Sequence, residues 1–327
     1  MSAPAAEPPE AVTHWNLPLW TLGGKQFWTD WLNFHDYRIQ KNAMTGHYRL
    51  LSPSNTRLAW GNWTGCREAL ARTATRQHLP AMDGHVIIVL HGLSRTRSSM
   101  KSLARHLEQE TGARVVNFSY ASGRFGIGQH AEALDSVIRN LPEADQISFV
   151  GHSMGNIIVR YYLGTSGHDP RFRRMVMLAP PNHGSQLAEW LQKNLMFRTV
   201  TGESGQQLAG RWEETAQHLA TPGFEFAIIA GSPGEDGRFT NPLIDGEDDL
   251  VVSVEETRLA GARDFWRGDF WHSTMMNKPA VQQAVSRFIN DGYLLAPDHR
   301  QPIDSDLASG SGGDPKTAEA NSGDGKR

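Results

Sequence analysis

The segment Gly151-His152-Ser153-Met154-Gly155 places a hydroxyl between two glycines, each two positions away. It follows the apolar run Ile147-Ser148-Phe149-Val150 and precedes Asn156-Ile157-Ile158-Val159-Arg160-Tyr161-Tyr162-Leu163, so it reads as strand, tight turn and helix. Glycines at those positions remove the Cβ atoms that would clash where strand and helix cross. The serine can then take a strained conformation with its Oγ exposed. A serine hydroxyl is a weak nucleophile at neutral pH. It needs an adjacent imidazole to take its proton and a carboxylate to hold that imidazole in the correct tautomer.

Of the 14 histidines, His272 best fits the base. It lies in Asp269-Phe270-Trp271-His272-Ser273-Thr274, between the last, weak strand and a closing helix that begins near Pro279, where such a base belongs. The acid is expected between nucleophile and base. The loop Ala179-Pro180-Pro181-Asn182-His183-Gly184-Ser185 holds no carboxylate, whereas a later loop holds Asp245, Glu247, Asp248 and Asp249 just before Leu250-Val251-Val252. Asp249 is the choice; the alternatives for this loop are a solvated acidic surface or a calcium site, for which the spacing is wrong. An oxyanion needs preorganised donors, and the backbone N–H groups of Met154 and Leu93 are the candidates, Leu93 because His91-Gly92-Leu93 lets the chain pass close to the nucleophile. His91 itself reads as a structural loop histidine.

These residues need a scaffold that gathers loops from distant parts of the chain. Short apolar runs at His85-Leu90, Arg114-Tyr120, Gln146-Val150, Arg174-Leu178, Phe224-Ala230 and, more weakly, Asp264-Phe270 alternate with amphipathic segments. One such segment carries Leu134, Val137, Ile138 and Leu141, and another Val281, Val285, Phe288 and Ile289. This alternation predicts an α/β fold, a mostly parallel sheet flanked by helices, with reactive groups on loops leaving the carboxyl ends of the strands. The hydrolytic domain is expected over residues 84–293. Residues 15–83 form an aromatic-rich extension packed on that core; Phe27, Trp31 and Phe34 recur at the spacing of one helical face, and a grip on lipid is the alternative use of that stripe. Composition predicts disorder at residues 1–14 and in the tail 294–327.

Composition also excludes classes of function. With 32 basic against 35 acidic residues there is no general positive field to hold nucleic acid. The longest apolar runs, such as Val86 to Leu90, fall far short of the roughly eighteen residues that cross a bilayer. The single cysteine, Cys66, excludes an intrachain disulfide and a cysteine-rich zinc site and reads as structural. No secretory pattern opens the chain, which predicts a cytoplasmic location.

The residues resemble the bacterial lipases and serine carboxylesterases of the α/β-hydrolase superfamily, including relatives of the GPI-inositol deacylases. The resemblance rests on His91-Gly92-Leu93, on the Ser153 pentad, on Ala179 to Ser185, which is similar to lipase Pro-His-x-Gly-Ser loops, and on Asp248-Asp249-Leu250-Val251-Val252 with His272 downstream. It implies the α/β-hydrolase fold, a catalytic triad of Ser153, Asp249 and His272, and an oxyanion hole of Leu93 and Met154. It also implies a lid-like insertion at about 185–222, between strands 6 and 7 of the family pattern. There Leu187, Trp190, Leu191, Asn194 and Leu195 mark an amphipathic helix and Thr201-Gly202-Glu203-Ser204-Gly205 a flexible break. One departure stands out: the family often reads Asn-Asp-Gly before the Val-Val pair, where this chain has Asp248-Asp249-Leu250.

The expectation is an esterase or lipase that forms an acyl-enzyme, needs no cofactor or metal, and takes a small-molecule or lipid ester. It would have no nucleic-acid partner and no transmembrane segment, with peripheral membrane contact compatible with the aromatic extension. The competing readings are an acyltransferase or amidase with the same triad, or a non-catalytic binding protein on the same fold. A dehalogenase would carry Asp in place of Ser153.

Overall fold

A computed structural model of the chain describes residues 19–20, 26–191, 195–234 and 239–304; the expected disorder at 1–14 and 305–327 lies outside them. The N-terminal part is an antiparallel sheet of β1 (Leu19–Trp20), β2 (Trp28–Phe34), β3 (Tyr37–Asn42), β4 (Tyr48–Leu51) and β5 (Thr56–Gly61), in the order β1-β5-β4-β3-β2. Helix α1 (Trp63–Arg76), capped by the Asn62 side chain, covers it. Between them lie Leu32, Tyr37, Ile39, Leu50 and Ala59 from the strands and Cys66 and Leu70 from the helix. Burial pushes the Cys66 thiol up to about 11, as suits a packing residue rather than a reactive one.

The helical spacing of Phe27, Trp31 and Phe34 is therefore misleading. Phe27 precedes β2, and Trp31 and Phe34 lie within it. Asp30 pairs with Gln40 and Leu32 with Ile39, which makes Trp31 the extra residue of a β-bulge. Trp31 and Phe34 both pack on the main core although an unbroken strand would send them to opposite faces. Aromatic residues favour pleated backbone when a partner strand is available, and β3 supplies it.

The main sheet contains β6 (Gly84–Leu90), β7 (Arg114–Phe118), β8 (Ala144–His152), β9 (Phe172–Leu178), β10 (Glu225–Gly231) and β11 (Asp264–Gly268). All neighbours are parallel, in the order β11-β10-β9-β8-β6-β7. The fully apolar run of β6 follows from burial on both faces. Val86, Ile88 and Leu90 join one core with α3 (Ile127–Arg139) and α4 (Met154–Thr165). Ile87 and Val89 join the other with α2 (Lys101–Thr111) and the closing helix α8 (Pro279–Asp291). The chain leaves β6 for β7 on one side and returns to β8 on the other, so the strand order reverses at β6, the place where open α/β sheets form a crevice beyond their carboxyl ends.

Between β9 and β10 lie α5 (Gln186–Leu191), α6 (Leu195–Gln207) and α7 (Trp212–Ala216). The residues Thr201 to Gly205, expected as a flexible break, are helical except at Gly202, whose φ is +59°. They are docked rather than loose: Ser204 Oγ donates to Phe125 O at 2.7 Å and Ile127 N to Gln207 Oε1 at 2.6 Å. Asn194 lies outside the described residues. At the other end, residues 294–304, assigned by composition to the disordered tail, are fastened to β11. Both oxygens of buried Asp264 accept backbone N–H groups, from Leu294 at 2.7 Å and Gln301 at 3.0 Å, and Ile303 enters the main core.

Buried Asp30 joins the two sheets. Its N–H donates to Ser119 O at 2.8 Å, and its Oδ2 accepts the Ser119 N–H at 2.9 Å, just beyond β7. Its Oδ1 accepts from Gln40 Nε2 at 2.7 Å, and burial raises its carboxyl above the ordinary range against the pull of Arg38 and Arg97. Asp30→Ala strands those buried donors and is expected to lower the unfolding free energy by about 2–4 kcal/mol in urea titrations. An unchanged midpoint would mean that the two sheets do not depend on this contact.

Candidate active site

Ser153 sits between β8 and α4 at φ 54°, ψ −126°, a conformation that costs a non-glycine residue about 1–3 kcal/mol. The surroundings hold it there. Ser153 N donates to Leu178 O at 2.8 Å, and buried Asn156 Nδ2 bridges Ser153 O at 3.0 Å and Leu178 O at 3.2 Å. The motif's glycines have separate reasons. A Cβ at Gly151 would strike the Asn156 side chain, and one at Gly155 would come within 2.8 Å of the Leu90 and His91 carbonyl oxygens. The second glycine thus lets α4 press on the end of the neighbouring strand β6, not only on its own strand.

His272 follows β11 and Asp249 follows β10. His272 Nδ1 lies 2.7 Å from Asp249 Oδ2. With the Nδ1–H donating to that carboxylate, Nε2 keeps its lone pair. Asp249 is itself fixed, its Oδ1 accepting from Val252 N at 2.8 Å and Val251 N at 3.1 Å, while His272 N donates to Asp249 O at 3.2 Å. His152 adds a further restraint: its Nε2–H donates to His272 O at 2.9 Å, and burial holds its ring far below the ordinary imidazole range, hence neutral.

The four carboxylates of the acid loop diverge. Asp245 is exposed, Glu247 pairs with Arg267, and Asp248 turns inward to accept from Leu250 N at 2.6 Å and Asn241 N at 2.9 Å. Among the described residues no cluster of three or more His, Cys, Asp or Glu side chains could hold a metal ion. Leu250, where the resembling family often has glycine, has a φ of +79°. Left-handed backbone costs an L-residue on the order of 1–2 kcal/mol. Asp248 holds the Leu250 N–H and Asn241 Nδ2 holds its carbonyl at 3.0 Å, so the second carboxylate clamps the turn that the missing glycine would have eased.

Leu93 follows β6 at the mouth of the site, and Met154 opens α4, where helix geometry leaves N–H groups without intrahelical acceptors. His91 lies buried beneath, stacked on Tyr120 at 4.0 Å between ring centres, with Nδ1–H donating to Gly92 O at 2.9 Å. Burial lowers its pKa to about 4.

Ser153, His272, Leu93 and Gly92 line one cavity of about 260 Å³, closed by Val251 and Val252 from the acid loop and by Leu187, Ala188, Leu191 and Leu208 from the insertion. Two contributors went unnoticed in the sequence. Arg160, on buried α4, donates to Asn182 Oδ1 at 2.9 Å, and Asn182 Nδ2 donates to Thr257 O at 2.8 Å, tying the helix to the loops after β9 and β10. The available signal was an arginine inside an otherwise apolar helix. His183 is exposed.

The sheet order, the turn at Ser153 and the crevice define an α/β-hydrolase fold, and the chain has that fold. Residues 86–223, less than half of the chain, match the sequence model of the palmitoyl protein thioesterase family. The mature form of the lipase BlEst2 from Bacillus licheniformis is similar in structure, with a TM-score of 0.51 and 18% identity over 63% of this chain and 91% of that one. Its propeptide form gives a TM-score of 0.50 at 18% identity, over 66% of this chain and 52% of that one. No curated protein matches in sequence.

Two outcomes are expected. Because the folded-state pKa of His91 is about 4 against about 6.5 when unfolded, its contribution to stability is complete above pH 6.5 and lost as pH falls towards 4. Urea unfolding of wild type and His91→Gln across that window should differ in slope, by up to on the order of 3 kcal/mol in total; parallel curves would contradict a buried neutral imidazole. Asp248→Asn, which keeps only one acceptor oxygen for the turn, should cost about 1–3 kcal/mol of stability in the same assay.

Proposed function

We propose that the protein is a serine carboxylic-ester hydrolase using Ser153, His272 and Asp249. The observation that carries this reading is a serine in a strained strand-to-helix turn sharing one cavity with an imidazole whose far nitrogen is bonded to a buried carboxylate. Ser153 Oγ attacks the ester carbonyl while His272 Nε2 takes its proton; the imidazolium is stabilised by Asp249. The oxyanion is held by the N–H groups of Leu93 and Met154, each such donor being worth on the order of 2.7–4 kcal/mol. Collapse expels the alcohol, which receives the proton from His272. Water, activated by the same imidazole, then cleaves the acyl-enzyme.

Helix α5 acts in this reading as a lid over the acyl pocket, since its Leu187, Ala188 and Leu191 side chains wall the cavity together with Leu208, just beyond α6. At about 260 Å³ the cavity lies at or below the low end of ligand pockets, roughly 300–1,000 Å³, which favours short acyl groups unless the lid moves. Trp190 next to Leu191, Trp271 next to His272 and Phe239, 5.8 Å from Trp271 between ring centres, are exposed and offer apolar surface to an oily substrate or a lipid surface. Among the described residues no helix is long and apolar enough to cross a membrane. The family match favours one second reading, hydrolysis of acyl thioesters by the same residues.

The test is a panel of p-nitrophenyl esters of rising chain length beside an acyl thioester and a tributyrin emulsion. Turnover should peak at short acyl groups; preference for the thioester would move the assignment to that class. Ser153→Ala should abolish turnover and fluorophosphonate labelling, and persistence of both would remove Ser153 as nucleophile. Asp249→Asn should lower kcat by about 10³–10⁴, while Asp248→Asn stays active; the reverse pattern would shift the acid by one position.

A further inference from the structure

A second cavity, of about 730 Å³, opens between the N-terminal sheet and the edge of the main sheet, and no residue lines both it and the Ser153 pocket. Its floor is the β2–β3 hairpin and β7, and its wall is the start of α2 with the turn before it. Cations crowd it. Arg38 comes from β3, Arg97, Lys101 and Arg105 from the wall, and Arg114 from β7, against only two lining carboxylates, Asp36 and Glu108. Asp36 is engaged by Arg97 at 2.5 Å, and Arg114 by Asp83 at 2.7 Å from outside the cavity. Lys101 and Arg105, one helical turn apart on α2 and both exposed, have no ion-pair partner among the described residues.

The buried lining carries unspent hydrogen-bonding capacity. Arg38 has a fully buried side chain that faces the Asp30 carboxylate and lies 4.0 Å from Asp36; its Nη2 donates to Asn55 Oδ1, while its Nε and Nη1 lack a hydrogen-bond partner. Asn33 Nδ2 and Asn117 Oδ1, on two further buried lining residues, lack one as well. Buried polar groups are nearly always paired, because an unpaired one forfeits its hydration, so several gathered at one cavity mark a place where a ligand completes the set. A guanidinium with two nitrogens still free to donate, the Asn33 amide on the paired strand and two rim cations without an ion pair among the described residues match an anion with several acceptor oxygens. The Asn117 carbonyl asks for a donor on the same molecule.

We propose that this cleft binds a phosphate monoester or diester carried on a small hydroxylated group, with Arg38 and Asn33 on the phosphate, Asn117 on a hydroxyl, and Lys101 and Arg105 drawing the anion in. The volume lies within the range of small-molecule pockets. A free sugar or glycerol phosphate and a lipid headgroup of the phosphatidylglycerol kind share this chemistry. The site is separate from the proposed ester-hydrolysing centre and does not depend on it.

Calorimetric titration of the full chain at pH 7 with glycerol 3-phosphate, and with glycerol as control, tests the assignment. Saturable binding of the phosphate ester, none of glycerol, and affinity at least tenfold weaker when Lys101→Ala is combined with Arg105→Ala are expected, with p-nitrophenyl butyrate turnover unchanged in that double variant. Arg38→Met should abolish binding; should it fail to fold, the exposed double variant still decides. Absence of saturable binding to wild type, both of the ester and of phosphatidylglycerol vesicles in flotation, overturns the proposal, as does equal affinity in wild type and the double variant. Flotation that the double variant loses identifies the lipid headgroup as the source, and binding of glycerol 3-phosphate alone identifies the free ester.

Discussion

Everything at the proposed catalytic centre depends on one unfavourable backbone conformation, that of Ser153. A residue at φ 54°, ψ −126° does not rest there by preference, and here it is held by the Leu178 carbonyl, by the Asn156 amide and by the close approach of α4 to β6 that Gly155 permits. Those restraints come from three adjacent parallel strands, so the strain is sustained by the whole sheet rather than by the turn. The result is a hydroxyl standing at the start of a helix, where unsatisfied N–H groups and the helix dipole favour developing negative charge.

The loops around it are coupled chiefly by side chains that bond to one another's backbone groups. His152, next to the serine, holds the carbonyl of His272; the N–H of His272 is bonded to the carbonyl of Asp249; and Asn182 links the loop after β9 to Thr257. Glu256 extends the chain of contacts to the insertion, its carboxylate accepting from Gln186 N at 2.6 Å and from Ser253 N at 2.7 Å. A shift in any one loop is therefore felt by the others, which is how side chains far apart in sequence can be held to the tolerances that proton transfer requires. The acid loop shows how a departure from a family pattern can be absorbed: Leu250 takes the left-handed conformation, and Asp248, the extra carboxylate, secures it.

The N-terminal sheet is part of the same molecule in an energetic sense. It brings Asp30 to the end of β7 and packs Trp31 against the core containing α3 and α4, and by standing off from α2 it creates the cationic cleft. Asp30 and the bulge at Trp31 share the docking of this sheet with Thr29, which accepts from Ala121 N, and with Asp36, which pairs with Arg97.

Much of this was legible along the chain. Runs such as Val86 to Leu90 are apolar at every position because both faces of those strands are covered, and the pentad around Ser153 is recognisable because tight turns restrict residue type locally. Ser153, Asp249 and His272 were expected on strand-end loops in that order because strand ends and loop order are one-dimensional properties, and the fold brings the last two to 2.7 Å. Other features were not local. The aromatic spacing in β2 imitates a helix, and only pairing with β3 and the bulge at Trp31 reveal its real geometry. Residues 294–304 look like a polar tail until Asp264 is there to receive their N–H groups. Which carboxylate meets His272 hung on the direction of a single turn, since neighbouring side chains on a loop differ only in where the backbone points them. Composition and local pattern determined the elements and the kinds of residue at their ends; distance and direction between those residues were decided by tertiary packing, because they arise from contacts that no local stretch of sequence contains.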